Sequence, residues 1–153
     1  MPSTTVIFRT VSIEKLSSVL DLCQQQWADS RIIVISSQNR IAELECDDRV
    51  AQALPLSDQQ PYFATALRAL NRQVENLVIP TGNQGGAGYE NIFQGLNSGL
   101  ARACYLAPYC RSLQPVSYIH LRIKVGINQA ATLVTYPLAA LWARQMIKKL
   151  HKK

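Results

Sequence analysis

Short β-branched runs alternate with helical stripes through the first two thirds of this chain, and that alternation restricts its fold more than any other feature. Thr4–Phe8 (TTVIF) has the composition of a buried strand. Ile13, Leu16, Leu20, Cys23 and Trp27 then recur at intervals of 3, 4, 3 and 4, which places them on one face of a helix. Ser12 stands where it can cap that helix, and Glu14 where the helix dipole favours an anion. Arg31–Ile35 (RIIVI) is a second strand, continuously apolar like strands covered on both faces. A short polar helix over Asn39–Glu45 leads to a weaker strand near Ala51–Pro55. Ser57–Gln60 has the spacing of a capping box, and Phe63, Leu67, Leu70 and Val74 form another helical stripe. Asn76–Pro80 (NLVIP) predicts a strand, Gly82–Gly88 a glycine loop, Tyr89–Ala103 a helix and Tyr105–Tyr109 a further strand.

Strands separated by helices call for a parallel sheet with helices on its faces. The expected fold class is α/β: a Rossmann-like three-layer sandwich with a mainly parallel sheet of about five strands and a C-terminal amphipathic helix. Residues 1–116 would make the sandwich and residues 117–153 the helical segment. Right-handed crossovers leave the order 3-2-1-4-5 as the simplest arrangement. The topological switch then falls between the first and fourth strands. Ligands of such sheets bind at the carboxyl ends of the flanking strands, here Arg9–Lys15 and Thr81–Glu90.

The residues that could carry chemistry cluster at those two ends. Gly82-Asn-Gln-Gly-Gly-Ala-Gly88 follows a strand and opens a helix, the setting in which backbone N–H groups hold an anion. Gly82, Asn83, Gly85, Gly86 and Tyr89 are the candidate contacts there, with Arg9 and Ser12 facing them from the first strand. The spacing is neither a dinucleotide fingerprint nor a Walker loop, and a tight turn packed against the sheet would use the same glycines. Glu14 and Glu90 are candidate general bases, provided they are partly desolvated. Cys23, Cys46, Cys104 and Cys110 have no C-x-x-C spacing and no His pair nearby, which argues against a metal site and for reduced packing thiols. No cofactor is called for. The opening MPSTTVIFRT lacks the layout of a secretory signal, so a cytoplasmic protein is expected.

Charge is distributed very unevenly. Up to Glu90 the chain has ten acidic and seven basic side chains; beyond it there are nine Lys or Arg and no acid. An asymmetry of this kind points to an anionic partner surface. Val125–Ala143 carries no charge, between Lys124 and Arg144. That length could just cross a bilayer, but it contains Asn128, Gln129, Thr132, Thr135 and Pro137. A helix lying at the membrane surface suits it better. Leu133, Val134, Leu138, Leu141, Trp142 and Met146 can supply an apolar face, with Tyr136 and Trp142 at headgroup level. Arg122, Lys124, Trp142, Arg144, Lys148 and Lys149 are the candidate membrane or anion contacts. The alternatives are packing on the domain, a protein partner or a homo-oligomer. Nucleic acid is the weaker partner, because an apolar run interrupts the basic residues.

The segments Ala28-Asp29-Ser30-Arg31-Ile32, Asp47-Asp48-Arg49-Val50 with Ala53-Leu54-Pro55-Leu56, and Leu67-Arg68 through Val78-Ile79 resemble the N-terminal Rossmann-like half of heptosyltransferase-type GT-B glycosyltransferases. The resemblance covers about two thirds of the chain, from Thr4 to Pro108. It implies a half domain that receives an acceptor, such as a lipid-linked glycan, in glycan or lipopolysaccharide synthesis. Where the family has a Gly-Asp pair in its first loop, this chain has Glu14-Lys15, so the family's presumed base does not carry over. After Pro108 the remaining residues are too few for a second, nucleotide-sugar-binding half. The expected function is therefore a membrane-associated acceptor-binding or accessory protein, peripheral on the inner face of the membrane. If catalytic, it would need a partner for the nucleotide-sugar site. The alternatives are a small enzyme binding a phosphorylated ligand at the glycine loop, or a nucleic-acid module using the basic tail.

Overall fold

The structure is a computed structural model that describes residues 3–56, 74–84, 86, 88, 89, 92, 93, 96 and 99–150. The capping box at 57–60 and the stripe at 63–74 lie outside the described residues, apart from Val74. Six strands form one sheet: β1 (Thr4–Phe8), β2 (Arg31–Ser36), β3 (Gln52–Pro55), β4 (Asn76–Thr81), β5 (Ala103–Pro108) and β6 (Gln114–Val116). Their order is β3-β2-β1-β4-β5-β6. The first five are parallel and in the expected order; β6 is antiparallel to β5. α1 (Ile13–Gln26), a 3-10 turn (Gln38–Arg40), α2 (Ile41–Glu45) and α3 (Tyr118–Leu150) complete the described elements.

β6 was not expected. It is a three-residue edge strand with Pro115 at its centre, and Pro is accepted at an edge because no neighbour needs its N–H. A second difference concerns the helix expected to reach Ala103. That residue instead opens β5, paired with Asn76 of β4. A run of alternating apolar residues there gains a full ladder of sheet hydrogen bonds, which overrides a helical spacing.

β1 is buried along its whole length, and its residues point alternately into two cores. On one face Ile7, Ile32, Val34 and Val78 pack with Leu16, Val19, Leu20 and Cys23 of α1 and with Leu44 of α2. On the other, Val6, Phe8, Ile33, Ile35, Leu77, Ile79 and Leu106 pack with Ile92, Phe93, Leu96, Leu121 and Val125. The continuously apolar sequence of β2 is thereby explained: neither of its faces meets water. Trp27, just past α1, sets its ring edge-on to Tyr105 of β5, 5.0 Å between centroids, and so ties the end of α1 across the sheet.

Arg49 clamps the outer side of α1. Its guanidinium donates to both carboxylate oxygens of Asp47 at 2.8 and 2.6 Å, to Asp21 at 2.5 Å and to the Ser17 carbonyl at 3.3 Å. One planar fork thus joins the β2–β3 connection to the helix above it.

α3 has a different relation to the sheet. It is 33 residues long, about 50 Å at 1.5 Å per residue. Leu121 and Val125 are buried in the second core. Beyond them every residue with a described side chain, from Gly126 to Trp142, is exposed. Over its whole length the apolar residues do not gather on one side. The helix contains Pro137, which has no N–H to give the carbonyl one turn back. Among the described residues, no helix is long and apolar enough to cross a membrane.

Candidate functional site

β1 and β4 run side by side only from Thr5 with Asn76 to Ile7 with Val78. Beyond that register β4 continues beside β5 to Thr81 with Pro108, while β1 leads into α1. Pro80 lies past the divergence, so its missing N–H costs β1 nothing, and its carbonyl accepts the Thr10 hydroxyl. The expected switch point is therefore present, laced shut at its base by one side chain.

Arg9 leaves β1 at this edge. Its N–H donates to the Ile35 carbonyl at 2.9 Å, and its guanidinium donates to the Ser36 hydroxyl at 3.2 Å. Its Nε is buried with no hydrogen-bond partner among the described residues. Ser12 occupies the N-cap position of α1, as expected, but makes no side-chain cap hydrogen bond. Its hydroxyl instead meets Glu14 and, with backbone N–H, holds that carboxyl below its usual value; the charges of Arg40 and Arg9 act in the same direction. Glu14 is exposed. Partial desolvation, the condition for a general base at this position, is not met there. Glu90 and Gly85 lie outside the described residues.

The glycine loop closes on itself. The Gly82 N–H donates to the Tyr89 phenol oxygen at 2.9 Å, and the Thr81 hydroxyl donates to the Asn83 carbonyl at 2.7 Å. Two of the expected ligand contacts, Gly82 and Tyr89, are thus bonded to each other. Gly86 has a φ of +68°, and a Cβ there would fall 2.8 Å from the Phe93 ring. The glycine is needed so that the loop can turn left-handed and lie against an aromatic of the second core. Gly88 also has a positive φ, +86°.

Of the thiols, Cys23 and Cys104 are buried and pushed up to about 12 by burial alone or mainly by burial. Burial also raises Cys110. All four cysteines are free, and buried thiols of this kind are packing groups rather than nucleophiles. Among the described residues no cluster of His, Cys, Asp or Glu could hold a metal.

The sequence reading missed a cleft on the other side of the glycine loop. It measures about 310 Å³ and is lined by Gln84, Leu106, Gln114, Pro115, Val116, Ser117, His120 and Lys124. Gln84 comes from the turn after β4, Gln114 and its neighbours from β6, and His120 and Lys124 from the first turns of α3. The Ser117 hydroxyl accepts the His120 N–H at 3.1 Å and caps α3. The one available sequence signal was Ser117-x-x-His120-x-x-x-Lys124, a cap followed by two residues one helical turn apart.

α3 presents a second surface. Ile119, Ile123 and Ile127 are 72%, 56% and 62% exposed, and their i, i+4, i+8 spacing places them on one side of the helix. Leu121 and Val125 are two residues out of step, roughly 200° around the axis. The isoleucines therefore point away from the core that anchors the helix. Farther along, Leu133, Tyr136 and Trp142 are also exposed. Arg122 is exposed and Lys124 half-buried. The side chains of Arg144, Lys148 and Lys149 fall outside the described residues. No family model, no curated protein and no solved structure matches this chain.

Proposed function

We propose that this chain is a peripheral membrane protein whose α/β domain is held on an anionic lipid surface by α3. The observation that supports it is the exposed Ile119, Ile123 and Ile127 stripe on a helix anchored from its opposite side. Large apolar side chains aligned and left in water mark an interaction surface. Tyr136 and Trp142, both exposed, have the amphipathic rings that favour the headgroup region. The segment after Glu90 adds nine cations and no acid, and each near an anionic surface contributes about 1 kcal/mol. With no spanning helix among the described residues, surface attachment is the mode that fits, on the cytoplasmic side.

Within that reading the domain is a Rossmann-like half of the heptosyltransferase type, an acceptor-binding or accessory protein for a lipid-linked glycan. What supports this is the strand order about the switch point and the segments at Ala28–Ile32 and Asp47–Leu56. α3 would deliver the domain to the surface on which such an acceptor resides.

The test is co-sedimentation with vesicles. Deleting all residues after Ser117 would strip Leu121 and Val125 from the core, so the informative variants leave those two in place. Ile123→Ser combined with Ile127→Ser should weaken binding to vesicles rich in anionic lipid by about tenfold or more, each change removing an apolar group worth over 1 kcal/mol when buried. Thermal unfolding should be unchanged. Equal binding by wild type and the double variant would remove the proposal. Binding that vanishes in moderate salt and is matched by a DNA duplex would point to phosphate backbones instead.

A further inference from the structure

We infer that α3 selects membranes with loosely packed lipid, strongly curved ones above all, and does not bind by charge alone. The inference rests on the membrane reading and adds which membranes satisfy it. An α-helix turns by about 100° per residue, so the direction of each side chain follows from its number. Ile119, Ile123, Ile127, Ala130, Leu133 and Pro137, all exposed, fall within an arc of about 120°. Gln129, Thr132, Thr135 and Tyr136, also exposed, fall within an arc of similar width on the opposite side. That second arc continues the line of Leu121 and Val125, which hold the helix to the sheet. The position of this core pair on the polar side is part of why no single apolar side emerges over all 33 residues. A bilayer against the isoleucine arc therefore meets the helix from the side away from the domain, and the polar arc, with the Tyr136 ring, stays among the headgroups.

The polar arc decides the kind of membrane. Between Lys124 and Arg144 the chain has no charged residue, which leaves about 28 Å of helix without charge at 1.5 Å per residue. The polar side chains of that arc are an amide, hydroxyls and a phenol, and the Thr135 hydroxyl is already bonded to the Ala131 carbonyl at 2.8 Å. Such groups gain nothing from the Coulomb attraction that holds a lysine to anionic lipid. Adsorption of the stretch then depends on burying Ile123, Ile127 and Leu133 among acyl chains. In a flat, tightly packed leaflet the headgroups must first be pushed apart, and that work offsets much of the apolar gain. Curvature and kinked chains open gaps for such side chains beforehand. The cations stand outside the stretch, Arg122 before it and Arg144, Lys148 and Lys149 after it. They bring the helix to anionic membranes, and the uncharged stretch discriminates among them.

The test is binding of the full chain to small sonicated and large extruded vesicles, at a fixed fraction of phosphatidylserine and equal accessible lipid. Wild type should bind the small vesicles about fivefold or more tightly, since their outer leaflet is the more loosely packed. At one vesicle size, dioleoyl lipid should be preferred over palmitoyl-oleoyl lipid by about twofold or more, for the same reason. Gln129→Lys combined with Thr135→Lys puts charge on the polar arc. Its binding to large vesicles should rise, and its preference for small ones should fall towards none. Both positions are exposed, so thermal unfolding should be unchanged. Equal binding of wild type to small and large vesicles overturns the inference and leaves surface attachment standing. A size preference that the double lysine variant keeps in full overturns the role of the uncharged arc. Absence of binding to every vesicle defeats the membrane reading, and this inference with it.

Discussion

α1 and α3 are both attached to the same sheet, yet they spend their apolar residues in opposite ways. α1 has 14 residues and buries Leu16, Val19, Leu20 and Cys23 on its inner face. Its outer face is fastened by Arg49 through Asp21 and Ser17. α3 has 33 residues and commits Leu121 and Val125 to the core, while Ile119, Ile123, Ile127, Leu133, Tyr136 and Trp142 stay in water. A helix that exists for the fold puts its large side chains where they lower the free energy of the folded chain. The six exposed ones on α3 do not contribute in this way, so their selection must be sought outside the domain.

Paired substitutions can break that contrast. Leu16→Ala should destabilise the domain by about 2–5 kcal/mol, because it leaves a cavity in a packed core. Leu133→Ala should fall within about 0.5 kcal/mol of wild type, as exposed positions do. Urea unfolding of the two variants reads both numbers. A large loss at Leu133 would mean that α3 has a partner in the protein as studied, and the free-surface reading of that helix would go with it.

The glycine loop sharpens the comparison from the other side, because it too could be mistaken for a functional device. Gly86→Ala meets both a positive φ and the Phe93 ring, and should cost about 1–3 kcal/mol of stability. A variant that keeps full stability would overturn the packing role assigned to Gly86.

How legible was this in the sequence? The parallel strand order followed from the alternation of Thr4–Phe8, the Ile13–Trp27 stripe and Arg31–Ile35, since burial on both faces leaves a continuous apolar record. β6 left no such record: three residues, Gln114-Pro-Val116, have no period to detect. The end of the helix before β5 was misplaced because spacing alone does not reveal the β4 ladder that claims Ala103. At the site, Ser12 stands at the N-cap of α1 and Arg9 follows β1, but the Arg9 guanidinium turns to Ser36 of β2. The mutual bond of Gly82 and Tyr89 could not be foreseen, being a contact across seven residues of loop. The cleft was invisible for a further reason. Gln84, Gln114, Ser117 and Lys124 come from three segments of ordinary composition, and only the fold brings them to one wall.

The smallest effect separates the clamped region from the bare one by pH. Asp47 is held below its ordinary value of 3.8, chiefly by the hydrogen bonds and charge of Arg49. Its folded pKa is thus lower than its unfolded one. The stability this contributes is fully present above about pH 4 and disappears as the pH falls through the folded pKa. The side chain is 28% exposed, so screening limits the contribution to about 1 kcal/mol. Asp47→Asn should therefore unfold more easily than wild type near neutrality, and the gap should narrow below about pH 4. The carboxylate-free tail has no counterpart to this loss: after Glu90 there is no acidic side chain to protonate. Acid should loosen α1 from the β2–β3 connection before it acts on α3. Hydrogen exchange followed down the pH scale would show protection falling first around Asp47 and Arg49. If protection were lost first around Leu121 and Val125, the clamp would not be what distinguishes the two helices.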